Sequence, residues 1–135
     1  MRTSLEVQAA RCIGDGLFGP GNYDLVKRAG YVSAYGLANG KPLLVLVRTS
    51  GDYTMPGALN EFHKIYQFIG QDTRIVLVRT DNVRAVMFLD ALARGGYRVS
   101  SIIISEGEFR ALVDCEANTL NNLVTRINSV LGSES

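Results

Sequence analysis

The sequence predicts a single α/β domain: a small, mostly parallel sheet with an N-terminal hairpin or edge strand and helices packed on it. Three strand-like runs carry that reading, Leu43–Val47, Thr73–Val78 and Val99–Ile104. Runs with so little polar interruption suit strands covered on both faces, as in a parallel sheet. Between them lie two helical stretches of the length a right-handed crossover needs. The chain has 135 residues, 47% of them hydrophobic and 20% charged, which is the size and composition of one domain, 1–135, with a core of its own.

At the front, Leu5-Glu6-Val7 reads as a short strand with a partner across Arg11–Phe18, weakened by Gly14 and Gly16. Gly19-Pro20-Gly21 breaks the chain, and Asn22 caps a helix that uses Leu25, Val26, Ala29 and Val32 and stops at Asn39-Gly40. After the first buried strand, Thr54 is the expected cap of a helix with Pro56 in its opening turn. Leu59, Phe62, Tyr66 and Ile69 recur along it at helical spacing, and Gly70 ends it. The next helix is expected from Asn82 to Arg94, apolar nearly all round and therefore covered on more than one side. Ser105-Glu106-Gly107-Glu108 has the spacing of a capping box that opens a short helix through Asp114. A C-terminal amphipathic helix, 119–132, carries Leu120, Leu123, Val124, Ile127, Val130 and Leu131 as one apolar stripe. The expected order is β-β-α-β-α-β-α-α.

Fourteen basic and 13 acidic residues leave a formal charge of +1. That balance supplies no general pull toward nucleic acid and little repulsion against self-association. No apolar run is long enough to span a bilayer, and the start lacks the apolar segment of a secretory signal. Cys12 and Cys115 match no metal or redox spacing and read as two reduced, partly buried thiols of a cytoplasmic protein.

The layout from Leu43 to Val113 resembles the STAS (SpoIIAA-like) superfamily and its CRAL-TRIO-like relatives. The residues that carry the resemblance are an apolar strand, a polar turn and the helix opening Tyr53-Thr54-Met55-Pro56-Gly57-Ala58-Leu59. The strand Arg74–Val78, the helix opening Asp81–Leu89, and the strand Val99–Ile104 with its capped helix complete it. The resemblance implies a regulatory domain that works by docking. Phospho-switched members carry an Asp-Ser-Ser-Gly-Leu-like turn; here Gly57 falls on its glycine and Met55-Pro56 on the two serines, so the switch serine is absent.

Val-Leu-Val-Arg-Thr occurs twice, at Val45–Thr49 and Val76–Thr80. If the two strands are parallel neighbours, Arg48 and Arg79 share the C-terminal edge of the sheet, where open α/β sheets bind ligands close to helix N-termini. The candidate ligand residues are Arg48, Thr49, Ser50, Asp52, Thr54, Arg79, Thr80, Asp81 and Asn82, suited to a phosphate or carboxylate. Phe18, Tyr23, Tyr31 and Tyr35 are candidates to line an apolar pocket under the first helix. Candidate interface residues are Val83, Val86, Met87, Phe88, Leu120, Leu123 and Ile127, for a protein partner or a homodimer. His63, the one histidine, has no companion ligands nearby in sequence, and no metal or cofactor is expected. Gly14–Gly19 spells Gly-x-Gly-x-x-Gly, but Pro20 and Gly21 stand where its helix should run. No nucleophile elbow or phosphate-binding loop occurs. The leading expectation is a non-enzymatic interaction domain, followed by a small-molecule binder, then an enzyme using Asp52, Asp81 and the arginines.

Overall fold

A computed structural model describes residues 4–50 and 57–133, with the side chain of residue 133 left out. The order is α1 (Leu5–Phe18), β1 (Tyr23–Arg28), β2 (Tyr31–Ala38), β3 (Lys41–Arg48), α2 (Gly57–Ile65), β4 (Arg74–Thr80), α3 (Val86–Arg94), β5 (Arg98–Ile104), α4 (Glu106–Val113) and α5 (Ala117–Ser133). The five strands form one mixed sheet in the order β1-β2-β3-β4-β5. The β1–β2 and β2–β3 pairs are antiparallel; β3–β4 and β4–β5 are parallel. The sheet is therefore half parallel rather than mostly so.

Alternate residues of the strands face two separate cores, as the period of two requires. Leu43, Val45, Val47, Val76, Val78, Ile102 and Ile104 pack with α1, α4 and α5. Tyr31, Leu44, Leu46, Ile75 and Leu77 pack with Phe62, Tyr66, Phe88 and Leu92 on the other face. Both crossover helices, α2 and α3, lie on this second face, as successive crossovers of one hand must.

The front of the chain corrects the expected order. Residues 5–18 are a helix, not two strands: Ser4 caps it, its hydroxyl accepting from the Val7 amide at 3.1 Å, and Val7, Ala10 and Ile13 bury one face. Gly14 is no strand-weakener here. An added Cβ would lie 2.5 Å from the Tyr23 ring, so glycine lets the first strand approach the helix. Residues 23–38, expected as a helix, form a hairpin instead. Ala29 and Gly30 sit at φ 50° and 84°, and Asn39 and Gly40 at 52° and 79°. Pairs of positive-φ residues make the two-residue turns whose twist matches antiparallel strands. Asn39-Gly40 thus joins two strands rather than stopping a helix.

From Leu43 onward the expected elements are present with shifted ends. The second helix begins in the described residues at Gly57 and stops at Ile65, while Tyr66 and Ile69 remain buried in the turn beyond it. The third starts at Val86, four residues later than expected. The Ser105–Glu108 capping box is made in both directions, at 3.1 and 2.9 Å. The last helix covers the expected range.

The cysteines are not reduced thiols. Cys12 of α1 and Cys115, in the turn between α4 and α5, form a disulfide with Cα atoms 5.3 Å apart. Reduced thiols therefore give no argument for a cytoplasmic location. No helix among the described residues is long and apolar enough to cross a membrane.

Candidate functional site

The repeated Val-Leu-Val-Arg-Thr peptides do lie side by side. β3 and β4 pair in parallel with Arg48 opposite Arg79, so both arginines leave the same face at the C-terminal edge. The β1–β2 turn reaches this edge too, because β2 starts where β3 ends. The Arg48 guanidinium donates through Nε to the Ser50 carbonyl at 2.8 Å and through Nη1 to the Gly30 carbonyl. Arg79 donates to Ser101 Oγ and to the Val83 carbonyl, each at 2.9 Å. These neutral acceptors fix the Arg79 fork without cancelling its charge.

Thr49 and Thr80 leave the opposite face, beside the first turn of α1. Glu6 Oε2 accepts from the Thr49 amide at 2.9 Å and from its hydroxyl at 3.3 Å. Thr80 is fully buried, its Oγ1 3.1 Å from the Thr49 carbonyl and 2.5 Å from the Asn82 side-chain amide. A hydroxyl has one proton. That proton faces two acceptors, the Thr49 carbonyl and Asn82 Oδ1. The edge is a knitted surface: Glu6 ties α1 to β3, Thr80 ties β4 to the residue after β3, and each arginine ties its strand to a neighbouring turn.

Ser50, Asp81 and Asn82 are exposed around this surface. Asp52 and Thr54, and the Met55-Pro56 pair in the place of the switch serines, lie outside the described residues. Glu6 and Ser101 belong to the edge although nothing in their sequence neighbourhood points to it; the packing of α1 brings the first there and the β4–β5 register the second. Among the described residues no group of three or more His, Cys, Asp or Glu side chains could hold a metal ion. His63 is exposed, its ring 5.8 Å from that of Phe62.

The interface candidates separate into two sets. Val83, Phe88, Leu123 and Ile127 are at most 3% exposed and belong to the protein's own cores, and Leu120 packs partly against Gly16 of α1. Val86 and Met87, in the first turn of α3, are 66% and 65% exposed. The helix expected to be covered all round is covered on one side. The aromatic candidates also separate. Phe18, Tyr23 and Tyr35 come from α1, β1 and β2 rather than from one helix, and border an open hollow of about 610 Å³ beside Gly36. Tyr31 shares the face of β2 that Tyr35 takes, toward α2, and its hydroxyl donates to the Ala58 carbonyl at 2.7 Å.

No family model matches the chain, and neither curated proteins nor solved structures give a match to it.

Proposed function

We propose that the chain is a non-catalytic protein-interaction domain that docks on a second copy of itself through the outer face of α3. The observation that carries this reading is the exposure of Val86 and Met87, two adjacent large apolar side chains on a helix whose inner face is already filled by Phe88 and Leu92. Exposed charges flank them: Arg84 before, Asp90 and Arg94 after. Two such helices set antiparallel about a twofold axis put Asp90 of each copy within reach of an arginine of the other, which is the self-complementarity an isologous contact needs. Opposed charges at the rim set orientation more than affinity. A nine-residue helix is roughly 13 Å long, too short for a standard interface, so the dimer is weak and concentration-dependent.

A STAS-like kinship is part of the proposal for the stretch from Leu43 to Val113. Its support is the run of strand, helix, strand, helix, strand and capped short helix in that stretch. The SpoIIAA-like order β-β-α-β-α-β-α-α also counted two strands at the front, where the chain has a helix and then a hairpin, so the proposal covers Leu43–Val113 alone. The test is sedimentation velocity from micromolar to millimolar protein. Mass should rise with concentration, and Val86→Ser with Met87→Ser should hold the chain monomeric. A monomer throughout, or association unchanged in the double variant, overturns the reading.

A second reading is favoured by Arg79, whose described partners are all neutral: a small anion binding at the Arg48–Arg79 edge. Phosphate titration followed by amide NMR should then shift residues 79–83, and Arg79→Gln should abolish the shifts.

A further inference from the structure

The sheet has two edge strands, and they are finished differently. At β5, Arg126 of α5 donates to the Ile103 carbonyl at 2.8 Å and pairs with Glu108 at 3.8 Å, so a helix side chain covers part of that edge. β1 is the other edge, and among the described residues no strand pairs with its outer side. Tyr31 follows Arg28 across the two-residue Ala29-Gly30 turn, which makes Arg28 and Tyr31 a hydrogen-bonded pair. The alternation that follows turns the backbone groups of Val26 and Asp24 toward β2 and those of Lys27, Leu25 and Tyr23 outward. The outer side of β1 is therefore a template for one more strand.

Asp24, Lys27 and Arg28 are exposed along it. Charges on an edge strand keep it from pairing indiscriminately and leave it open to a complement. An antiparallel strand laid on β1 has its closest side-chain approaches opposite Arg28, Val26 and Asp24, the positions whose backbone faces inward. Those places ask for an acid, an apolar residue and a base, in that order along the incoming chain. Between them Lys27 asks for a second acid, and Leu25, packed toward α1, for a second apolar residue.

Beyond the base, the incoming chain reaches the hollow of about 610 Å³ at the Tyr23 end of the strand. Phe18 and Tyr23 line it from the α1 face, their ring centroids 6.1 Å apart, and Tyr35 from the α2 face. A second copy of β1, set in the register that matches the charges, places its own Ala29-Gly30 turn opposite Tyr23 and Asn22. It ends where the hollow begins. A longer extended segment continues into it, and because successive side chains point to opposite faces, two aromatic residues in a row serve both walls.

We propose that β1 accepts an extended segment of a partner protein as an added antiparallel strand, with the pattern acid-acid-apolar-apolar-base followed by aromatic residues. Backbone hydrogen bonds to Leu25 and Lys27 give the affinity, and the charges of Asp24 and Arg28 with the hollow give the choice of partner. β1 lies at the opposite edge of the sheet from β5, the strand against which α3 packs, so this docking and the self-docking through α3 stand or fall separately.

The test is fluorescence anisotropy and amide hydrogen exchange of the full chain with the synthetic peptide Glu-Glu-Val-Val-Lys-Phe-Phe. The peptide should bind and slow exchange at the Leu25 and Lys27 amides, whose N–H groups point outward. A peptide with its first and fifth residues exchanged, Lys-Glu-Val-Val-Glu-Phe-Phe, and one ending in Ala-Ala should each bind at least about tenfold more weakly. Asp24→Lys with Arg28→Glu, at two exposed positions, should invert the preference between the two charge orders. No binding at millimolar peptide overturns the proposal, as do equal affinities for the two charge orders or protection that leaves Leu25 and Lys27 untouched. So does protection of those two amides that rises with protein concentration in the absence of peptide, which would mean that a second copy holds the edge.

Discussion

Two buried threonines at the ends of β4 carry the same hydroxyl with opposite consequences. Thr80 closes the C-terminal edge of the sheet, its hydroxyl directed to the Thr49 carbonyl and Asn82 Oδ1. Replacing it with valine keeps the shape and leaves those partners unmet, so Thr80→Val should lower stability by about 1–2 kcal/mol in urea unfolding. Thr73, also fully buried, has no hydrogen-bond partner for its Oγ1 among the described residues. Thr73→Val removes a desolvated hydroxyl and should leave stability unchanged or raise it by about 1 kcal/mol. A loss at position 73 equal to that at position 80 would show that Thr73 has a partner after all. Tyrosines add a pH dependence. Burial first, then the Glu61 charge, pushes Tyr31 up to about 12 against the opposing pull of Arg48. Burial also raises Tyr66, whose hydroxyl donates to Ser33 at 2.8 Å inside the core. A raised folded value means the neutral phenol is favoured in the fold. The stabilisation is complete below the unfolded value of 10 and is lost as pH climbs through about 12. Phenolate absorbance of these two tyrosines should therefore appear together with loss of circular dichroism. Six tyrosines all ionising near 10 in an intact fold would contradict the burial argument.

The elements show where local sequence decides structure and where it does not. The β3-to-α4 stretch was legible because apolar runs alternate with amphipathic ones, and the Ser105–Glu108 box names its own helix start. The front was not, because its signals are ambiguous at short range. Leu5–Phe18 holds two glycines that look like helix breakers, yet each leaves room for a partner from elsewhere, Tyr23 at Gly14 and Leu120 at Gly16. The hairpin was misread because Ala29 stands where asparagine or glycine would announce a tight turn. At φ 50° a Cβ is strained, by roughly 1–2 kcal/mol for left-handed backbone. Ala29→Asn should recover part of that, raising stability by about 0.5–1 kcal/mol in thermal unfolding. A drop on that substitution would argue against the two-residue turn. The candidate site was legible in half. The doubled peptide placed Arg48 and Arg79 correctly at one edge, while Glu6 and Ser101 reached it through tertiary packing that no spacing encodes.

At the scale of the whole molecule, the layers are not held by packing alone. α1 is the first element of the chain, and α4 and α5 are the last; all three share one face of the sheet. The Cys12–Cys115 bond joins them across a sequence separation of 103 residues. A crosslink of that span removes much of the freedom of the unfolded chain, about 5 kcal/mol on a loop-entropy account. For a domain of this size that approaches the lower end of total stability. Reduction should thus move the urea midpoint sharply downward and leave the α2–α3 face, which the bond does not touch, the better protected of the two. Hydrogen exchange under reducing conditions distinguishes the outcomes. Faster exchange centred on α1, α4 and α5 means the bond holds one face closed, whereas uniform acceleration means it stabilises the fold as a single unit. An unchanged midpoint would mean that the apolar contacts of Val7, Ile13, Leu112 and Ile127 suffice without it.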